Sequence, residues 1–317
     1  MGVAIRLLGG AAAAGLLAAG MAAAVPAARA VPAARAAPAA SAAQVTRAVP
    51  VTRGAPANSA VAAAPAGVRA HWAELANAAT GADRWSRSSV KERPMGSVTK
   101  VMTAYVVIEA GDLSRVITVP AGITGYDKKY DASTAGLVPG EKLTALQLLY
   151  AMMLPSGCDA AYALAAAYGP GLPAFIATMN ATARRLGLTK THFSDFSGLP
   201  DPGEYTNYST ARDLVSLGRD AMERPLFRQV VATRECRVAA GAGHRAHTWK
   251  NTNMLLGHYP GAIGIKTGDT LAAGECLLFE ARRGDVTLIG VVLHSSAADP
   301  SAALSDATAM LNWGFAR

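Results

Sequence analysis

Ser97 and Lys100 stand three residues apart at the start of an apolar stretch, SVTKVMTAYVVIEAG (97–111). The apolar positions from Ser97 to Ala110 cover every side of a helix, which is typical of a helix buried in a core and ended by Gly111. Residues three apart share one helix face, so the two side chains are expected to meet. Burial disfavours a charged ammonium, so Lys100 would suit the role of a base that activates Ser97 as a nucleophile.

A short Ser-x-x-Lys sequence also has a structural interpretation, because the tetrapeptide arises by chance and a serine can simply cap a helix. The position of Ser97 at a helix N-terminus nevertheless fits acyl chemistry, since backbone N–H groups gather there and stabilise a developing oxyanion. Two further stretches separate the alternatives.

A second serine is predicted on a tight loop between two apolar helices, in TALQLLYAMMLPSGCDAAYALAAAYG (144–169). Pro155 is expected to end the first helix, and Asp159 is expected to cap the second. Ser156 and Cys158 then lie on the connection.

A second lysine lies in the stretch GAIGIKTGDTLAAGECLLFEARRGDVTLIGVVLHSS (261–296), whose alternation predicts antiparallel strands. Lys266, Thr267 and Gly268 fall within the first strand. A strand lysine beside a hydroxyl and a glycine suits a carboxylate ligand that the backbone must approach closely.

The ordered set Ser-x-x-Lys, Ser-Gly-Cys and Lys-Thr-Gly resembles the low-molecular-weight penicillin-binding proteins, the serine D-alanyl-D-alanine carboxypeptidases of peptidase family S11. Further similar blocks are FIATMNATARRLGLTKTHFSDFSGLPD (175–201), YSTARDL (208–214), NTNMLL (251–256) and GIKTGDT (264–270). The resemblance covers residues 70–317. It implies an α+β fold of the serine β-lactamase/DD-peptidase type, with an antiparallel sheet flanked by helices and a helical subdomain across the active-site cleft.

The resemblance also implies roles for individual residues. Ser97 would attack the peptide carbonyl, Lys100 would accept its proton, and Ser156 would relay a proton to the leaving D-alanine. The backbone N–H groups of Ser97 and Asp269 would form the oxyanion hole. The residues implied to hold the substrate are Cys158, Lys266, Thr267, Gly268, Asp269 and Thr270.

The implied substrate is a peptidoglycan stem peptide ending in D-Ala-D-Ala, with β-lactams as covalent inhibitors. No metal and no cofactor are expected, since acyl transfer needs a nucleophile, a base and oxyanion donors. Two alternatives remain. One is a class A serine β-lactamase, although Glu204 and Asn207 lack the spacing of its deacylating glutamate. The other is a non-catalytic envelope protein that binds penicillin or peptidoglycan.

Cys158 is the main departure from the family pattern, because most members carry Asn at this position. Their amide donates to the substrate carbonyl and contacts the lysine, whereas a thiol is a weak donor and acceptor. A minority of related carboxypeptidases carry Cys, so activity is still expected. Thr252 likewise stands where related enzymes often have Arg, which would lose any carboxylate contact from that Arg. Asn251 and Asn253 are expected to satisfy backbone groups.

The remaining expectations come from composition. The chain of 317 residues has 30 Lys and Arg and 22 Asp and Glu, but six of the arginines and none of the acids lie in residues 1–69, which leaves 24 against 22 in 70–317. The folded part offers no basic excess for nucleic acid. The three cysteines, an odd number, predict no disulfide framework, and Cys236 and Cys276 are expected to be buried or unpaired.

Residues 1–30 resemble a cleaved export signal, with Arg6, an uncharged run and a small-x-small site at Ala28–Ala30. Residues 31–69, rich in Ala and Pro, are predicted to be a linker before a catalytic domain at 70–317. A retained membrane anchor is the alternative to cleavage, but Ala and Gly are weak membrane formers. A secreted or wall-associated enzyme without a stable membrane anchor is therefore expected.

Overall fold

The computed structural model of the chain describes residues 63–317, and the predicted export signal and most of the predicted linker lie outside this range. The described strands are β1 Trp72–Asn77, β2 Asp83–Arg87, β3 Arg93–Pro94, β4 Val116–Thr118, β5 Lys142–Thr144, β6 Tyr208–Ser209, β7 Glu235–Val238, β8 His247–Lys250, β9 Ala262–Gly268, β10 Cys276–Arg283 and β11 Val286–Leu293. The described helices are α1 Lys100–Ala110, α2 Gly122–Tyr130, α3 Ala145–Met153, α4 Cys158–Tyr168, α5 Leu172–Arg185, α6 Ala211–Met222, α7 Pro225–Ala232 and α8 Ala302–Phe315.

Five strands form one antiparallel sheet in the order β2-β1-β11-β10-β9. Side chains alternate between its faces. Along β10, Leu277 and Phe279 belong to the apolar cluster that α8 covers, whereas Leu278 packs into the larger cluster on the other face. Three further strand pairs, β3–β6, β4–β5 and β7–β8, lie outside this sheet.

The larger apolar cluster joins the sheet to a helical subdomain made of α2, α3, α4 and α5. Helix α1 lies between the two parts and contacts α3, α4 and α5 as well as α6 and α7. Its positions 100–107 are all buried, as the apolar pattern predicts. The antiparallel sheet flanked by helices, with a helical subdomain, confirms the predicted fold class.

The predicted helix over Ser97–Ala110 is wrong at its first turn. Residues Gly96–Thr99 form a 3-10 turn, in which the Lys100 N–H bonds to the Ser97 carbonyl, and the α-helix starts only at Lys100. The chain enters this turn from β3 through Gly96, whose φ is +53°. The tighter turn still places Ser97 and Lys100 side by side.

One helix cap also differs from the prediction. Gly157, not Asp159, is the N-cap of α4, because the Asp159 carboxylate accepts the backbone N–H groups of Ala135 and Leu137. A distant segment thus uses the carboxylate that the local pattern assigned to the helix. At the start of α6, Thr210 is the N-cap and accepts the Asp213 N–H, while the Asp213 carboxylate bonds to residues 190 and 191.

The described chain is held by α8 from its first residue, because the Trp313 indole N–H donates to the Ala63 carbonyl at 2.6 Å. Val68 is buried, and the Asp306 carboxylate on α8 accepts the backbone N–H groups of Arg69 and Ala70 at 2.9 and 2.7 Å. Among residues 63–317, no single helix is both long and apolar enough to cross a membrane.

Candidate active site

Ser97 lies in the 3-10 turn between β3 and α1, where the backbone on both sides of it is packed tightly. Its Oγ accepts a hydrogen bond from Lys100 Nζ at 2.7 Å. A Cβ on Gly268 would lie 3.0 Å from Ser97 N and 2.7 Å from Met95 O, so only glycine allows β9 to approach this turn. The third residue of the Lys-Thr-Gly sequence is therefore required by backbone packing.

Lys100 is fully buried, with a relative exposure of 0%. Its Nζ lies within hydrogen-bonding distance of Ser97 Oγ (2.7 Å), the Ser197 carbonyl (3.0 Å), Cys158 Sγ (3.3 Å) and Ser156 Oγ (3.5 Å). None of these partners carries a formal charge in its ordinary state. A buried amine without a carboxylate partner is suited to giving and accepting protons.

Ser156 and Cys158 lie on the loop between α3 and α4, as the sequence predicts. Ser156 has a φ of +65°, a left-handed conformation that non-glycine residues seldom adopt. Ser133 holds the loop from outside: its Oγ donates to the Ser156 carbonyl at 2.9 Å, and its own carbonyl accepts from Cys158 N at 2.8 Å. The unusual backbone is thus supported by the neighbouring segment.

Lys266 lies on β9 with a relative exposure of 1%. Burial, followed by the positive charge of Lys100, lowers the pKa of Lys266 well below its ordinary value. Its Nζ donates to the Thr267 carbonyl at 3.0 Å, and Thr267 Oγ1 meets Thr252 Oγ1 at 2.7 Å. A negatively charged group arriving here would offset the cost of keeping a cation in this place.

The two backbone N–H groups predicted to bind an oxyanion lie on segments that pack against each other. A Cβ on Gly96 would lie 2.8 Å from Asp269 N, while the Cβ on Gly268 would reach Ser97 N. This packing brings the main chain of Asp269 beside the serine turn.

A cavity of about 640 Å³ opens above Ser97. Asp269 and Thr270 line it, whereas Lys100, Ser156, Cys158 and Lys266 lie buried near or beneath it. All its charged lining residues are acidic: Asp131, Glu204, Asp269 and Glu275. The structure thus gathers the three predicted motifs around one cleft.

The sequence interpretation missed three residues close to this site. Ser197 supplies a carbonyl to Lys100, and Asp195 and Tyr126 bind the loop that carries it. Asp195 and Ser197 fall in the block HFSDFSGLPD, which served only to support the family resemblance. The signal was an acidic residue two positions before a Ser-Gly pair, which is typical of a carboxylate that folds the loop after it.

The residues given structural interpretations behave accordingly. Asn251 Nδ2 donates to the carbonyls of Val231 and Thr233, and its Oδ1 accepts from Asn253 N. The three cysteines are free thiols in the described structure. Burial raises the pKa of Cys276 to about 12, which keeps it a neutral thiol.

Comparisons with known proteins agree with this geometry. A family model for peptidase S11, described as D-alanyl-D-alanine carboxypeptidase, matches residues 59–297. A Streptomyces protein named D-alanyl-D-alanine carboxypeptidase is 43% identical over 252 residues, covering 76% of this chain and 85% of its own length. The Mycobacterium tuberculosis carboxypeptidase DacB2 is 38% identical over 224 residues, covering 70% and 74%.

Solved structures extend the similarity to three dimensions. The crystal structure of a Streptomyces DD-transpeptidase superposes with a TM-score of 0.75 at 42% identity, covering 80% of this chain and 100% of the other. A D-alanyl-D-alanine carboxypeptidase from Mycobacterium tuberculosis superposes with a TM-score of 0.74 at 33% identity, covering 81% and 95%.

Proposed function

We propose an acyl-enzyme mechanism for this chain on the premise that it belongs to the peptidase S11 family, the D-alanyl-D-alanine carboxypeptidases. The chain is a serine carboxypeptidase whose reaction removes the terminal D-alanine from peptides ending in D-Ala-D-Ala. The members of this family act on peptidoglycan, so the place of action is the cell envelope.

Ser97 is the nucleophile in this mechanism. Its Oγ attacks the carbonyl carbon of the penultimate D-alanine while the Oγ proton passes to Lys100 Nζ, 2.7 Å away. The carbonyl oxygen becomes an oxyanion and accepts hydrogen bonds from the backbone N–H groups of Ser97 and Asp269. Both donors are main-chain groups held by close packing, so they need no rearrangement as the charge develops.

The tetrahedral intermediate then collapses. The C–N bond breaks, the leaving amine takes a proton from Lys100 by way of Ser156, and an ester remains on Ser97. The 3.5 Å from Lys100 Nζ to Ser156 Oγ supports this relay. Water then attacks the ester, its proton returns through Lys100, and the shortened peptide leaves with Ser97 restored.

The terminal carboxylate of the substrate binds Lys266 and Thr267 in this proposal. Lys266 forms no salt bridge among the described residues, and burial, followed by the charge of Lys100, lowers its pKa well below the ordinary value. A substrate carboxylate would supply the missing negative charge. Gly268, Asp269 and Thr270 continue the strand along the cleft, and Cys158 lies where it would adjoin the scissile carbonyl.

The single observation that carries the mechanism is the pair of Ser97 and a fully buried Lys100 in direct contact. Incubation with a β-lactam followed by peptide mapping should place the adduct on Ser97. Ser97→Ala should abolish both the adduct and the release of D-alanine. An adduct on Ser156 or Cys158 would contradict the assignment, and rapid hydrolysis of the β-lactam would favour a β-lactamase.

Transfer to an amine is a second candidate outcome of the same acyl-enzyme. It is favoured by one observation, that the Streptomyces structure similar to this chain is named a DD-transpeptidase. Adding a D-amino acid to the assay distinguishes the two outcomes. A new peptide bond indicates transfer, whereas release of the shortened peptide alone indicates hydrolysis.

Export and domain organisation are also proposals. Residues 1–30 would direct secretion and be removed, residues 31–69 would link the signal to the enzyme, and residues 70–317 would form the catalytic domain. The last residues of this linker already pack on the domain, since Ala63 bonds to Trp313 and both Pro65 and Val68 are buried. The mature enzyme would then be secreted or wall-associated. N-terminal sequencing of the exported protein tests this; a mature form that still begins at Met1 would contradict it.

A further inference from the structure

The carboxylate of Asp195 is the centre of a hydrogen-bonded loop beside the active site. It is buried at 1% relative exposure. Its Oδ1 accepts the backbone N–H groups of Ser197, Gly198 and Leu199 at 2.7, 2.6 and 3.0 Å, as well as Ser197 Oγ at 2.8 Å. One carboxylate oxygen therefore fixes three consecutive peptide units.

Tyr126 holds the same loop from the helical subdomain. Its hydroxyl donates to Asp195 Oδ2 at 2.6 Å and lies 2.7 Å from Ser197 Oγ. Burial, and then the Asp195 carboxylate, raise the pKa of Tyr126 well above its ordinary value. The phenol stays neutral and remains a donor throughout the working pH range.

The loop fixed in this way touches the reacting groups at two points. The Ser197 carbonyl accepts from Lys100 Nζ at 3.0 Å. The next residue, Gly198, packs so closely that an added Cβ would lie 3.0 Å from Ser97 N. The Asp195 carboxylate makes no hydrogen bond to Ser97 or Lys100, so its influence passes through this loop.

We propose that Asp195, together with Tyr126, is a positioning residue that aims the lone pair of Lys100 at Ser97. A neutral amine has two N–H bonds and one lone pair. When one N–H is committed to the Ser197 carbonyl and the other points towards Ser156 or Cys158, the position of Nζ that donates to Ser97 Oγ in the protonated amine becomes the lone pair of the neutral one. This inference rests on the proposed role of Lys100 as the base.

The geometry predicts what happens when the carbonyl is released. The Cε–Nζ bond can rotate among staggered positions, and only one of them directs the lone pair at the serine proton. The Ser97 proton would then have no aligned acceptor in most molecules. Substrate binding at Lys266 and Thr267 would be unaffected, so the defect belongs to the chemical step alone.

The test measures the non-covalent binding constant and the acylation rate constant for a β-lactam separately, by stopped-flow mixing. Asp195→Ala should lower the acylation rate constant roughly a hundred-fold, with the binding constant unchanged. Asp195→Asn, whose amide oxygen can still accept from the loop, should recover to within about ten-fold of the wild type. Tyr126→Phe should lose about two- to ten-fold, in the same step.

Asp306→Asn is the matched control, because Asp306 is also fully buried and accepts two backbone N–H groups, but on α8 at the other face of the sheet. It should melt earlier than the wild type and acylate at the wild-type rate. Should Asp195→Ala fail to fold, Asp195→Asn and Tyr126→Phe carry the test.

Wild-type acylation rate constants in both Asp195→Asn and Tyr126→Phe would overturn the inference. A loss of non-covalent affinity for the β-lactam in proportion to the loss of acylation rate would overturn it too, since that indicates a general distortion of the site. A wild-type protein that β-lactams do not acylate at Ser97 would instead refute the proposed function, so the two failures are distinguishable.

Discussion

A single methyl group on Gly198 should displace the nucleophile. Gly198 has a φ of +95°, and a Cβ at this position would lie 1.9 Å from Gly96 O and 2.4 Å from Gly96 C. Real Cβ contacts keep at least 3.0 Å, so Gly198→Ala requires about 1.1 Å of movement between the two segments. Asp195 anchors the 195–199 loop, which leaves the Gly96–Ser97 turn to move.

The expected magnitude comes from that displacement. A misplacement of about 1 Å at a reacting group costs on the order of 100-fold in rate. The left-handed backbone adds a stability cost of roughly 1–2 kcal/mol for alanine. Gly198→Ala should therefore fold with a lower melting temperature and acylate about 100-fold more slowly with a β-lactam.

Gly187→Ala separates the two effects. Gly187 also has a positive φ, +72°, but nothing lies within 4 Å of its added Cβ. This variant should show the stability cost and acylate at the wild-type rate. Displacement of the nucleophile is refuted if Gly198→Ala acylates as fast as Gly187→Ala, or if both lose acylation equally while folded.

Three other changes test separate parts of the structure. Lys100→Arg should lower the acylation rate about a thousand-fold, because a guanidinium cannot act as a base. Lys266→Arg keeps a positive charge for the substrate carboxylate and should lower the rate about ten-fold. Equal losses in the two variants would contradict their distinct roles. Cys158→Asn should acylate about two- to twelve-fold faster in stopped-flow assays, because an amide forms stronger hydrogen bonds than the thiol, which lies 3.3 Å from Lys100 Nζ. A variant that folds but acylates more slowly would contradict this. Burial raises the pKa of Glu280 from 4.5, its ordinary value, to about 7 in the folded chain. Between these two pH values the folded chain keeps a proton on Glu280 that the unfolded chain loses, so the free energy of unfolding falls by about 3 kcal/mol as the pH rises from 4.5 to about 7. Urea unfolding at about pH 5 and pH 8 measures this decrease, which should be smaller in Glu280→Gln than in the wild type and unchanged in the control Glu223→Gln, whose side chain is exposed. An unchanged decrease in Glu280→Gln would refute the raised pKa of Glu280.

Much of the fold could be predicted because buried elements have a recognisable pattern of apolar residues in the sequence. The helix after Ser97 is apolar on every side, and 261–296 alternates in the way that antiparallel strands require. Gly111 ends α1 with a φ of +74°, as a glycine after an apolar run predicts. Each of these features depends on residues that are close together in the sequence, so the sequence alone predicts it.

The unpredicted parts depend on contacts between segments far apart in sequence. Asp159 has the pattern of a helix cap, but its carboxylate binds N–H groups 22 and 24 residues earlier. Tyr126 and Asp195, 69 residues apart, meet only because α2 packs beside the 195–199 loop. Glu280 lies within an otherwise buried strand pattern, and nothing in its neighbours marks a carboxylate as buried. Periodicity tells which face is covered, not which polar atoms meet there.

The backbone packing around Ser97 has a consequence for resistance to β-lactams. On the proposed mechanism both oxyanion donors are main-chain N–H groups, at Ser97 and Asp269, so no substitution other than by proline removes either one. On this mechanism, a drug-evading variant would have to weaken acylation itself, through Lys100, Lys266 or the packing that places Ser97, or to restrict access to the cleft. Since the antibiotic and the D-alanine peptide are acyl donors to the same serine, each such change also weakens the natural reaction. On the proposed mechanism, escape from the drug and loss of carboxypeptidase activity would therefore be linked.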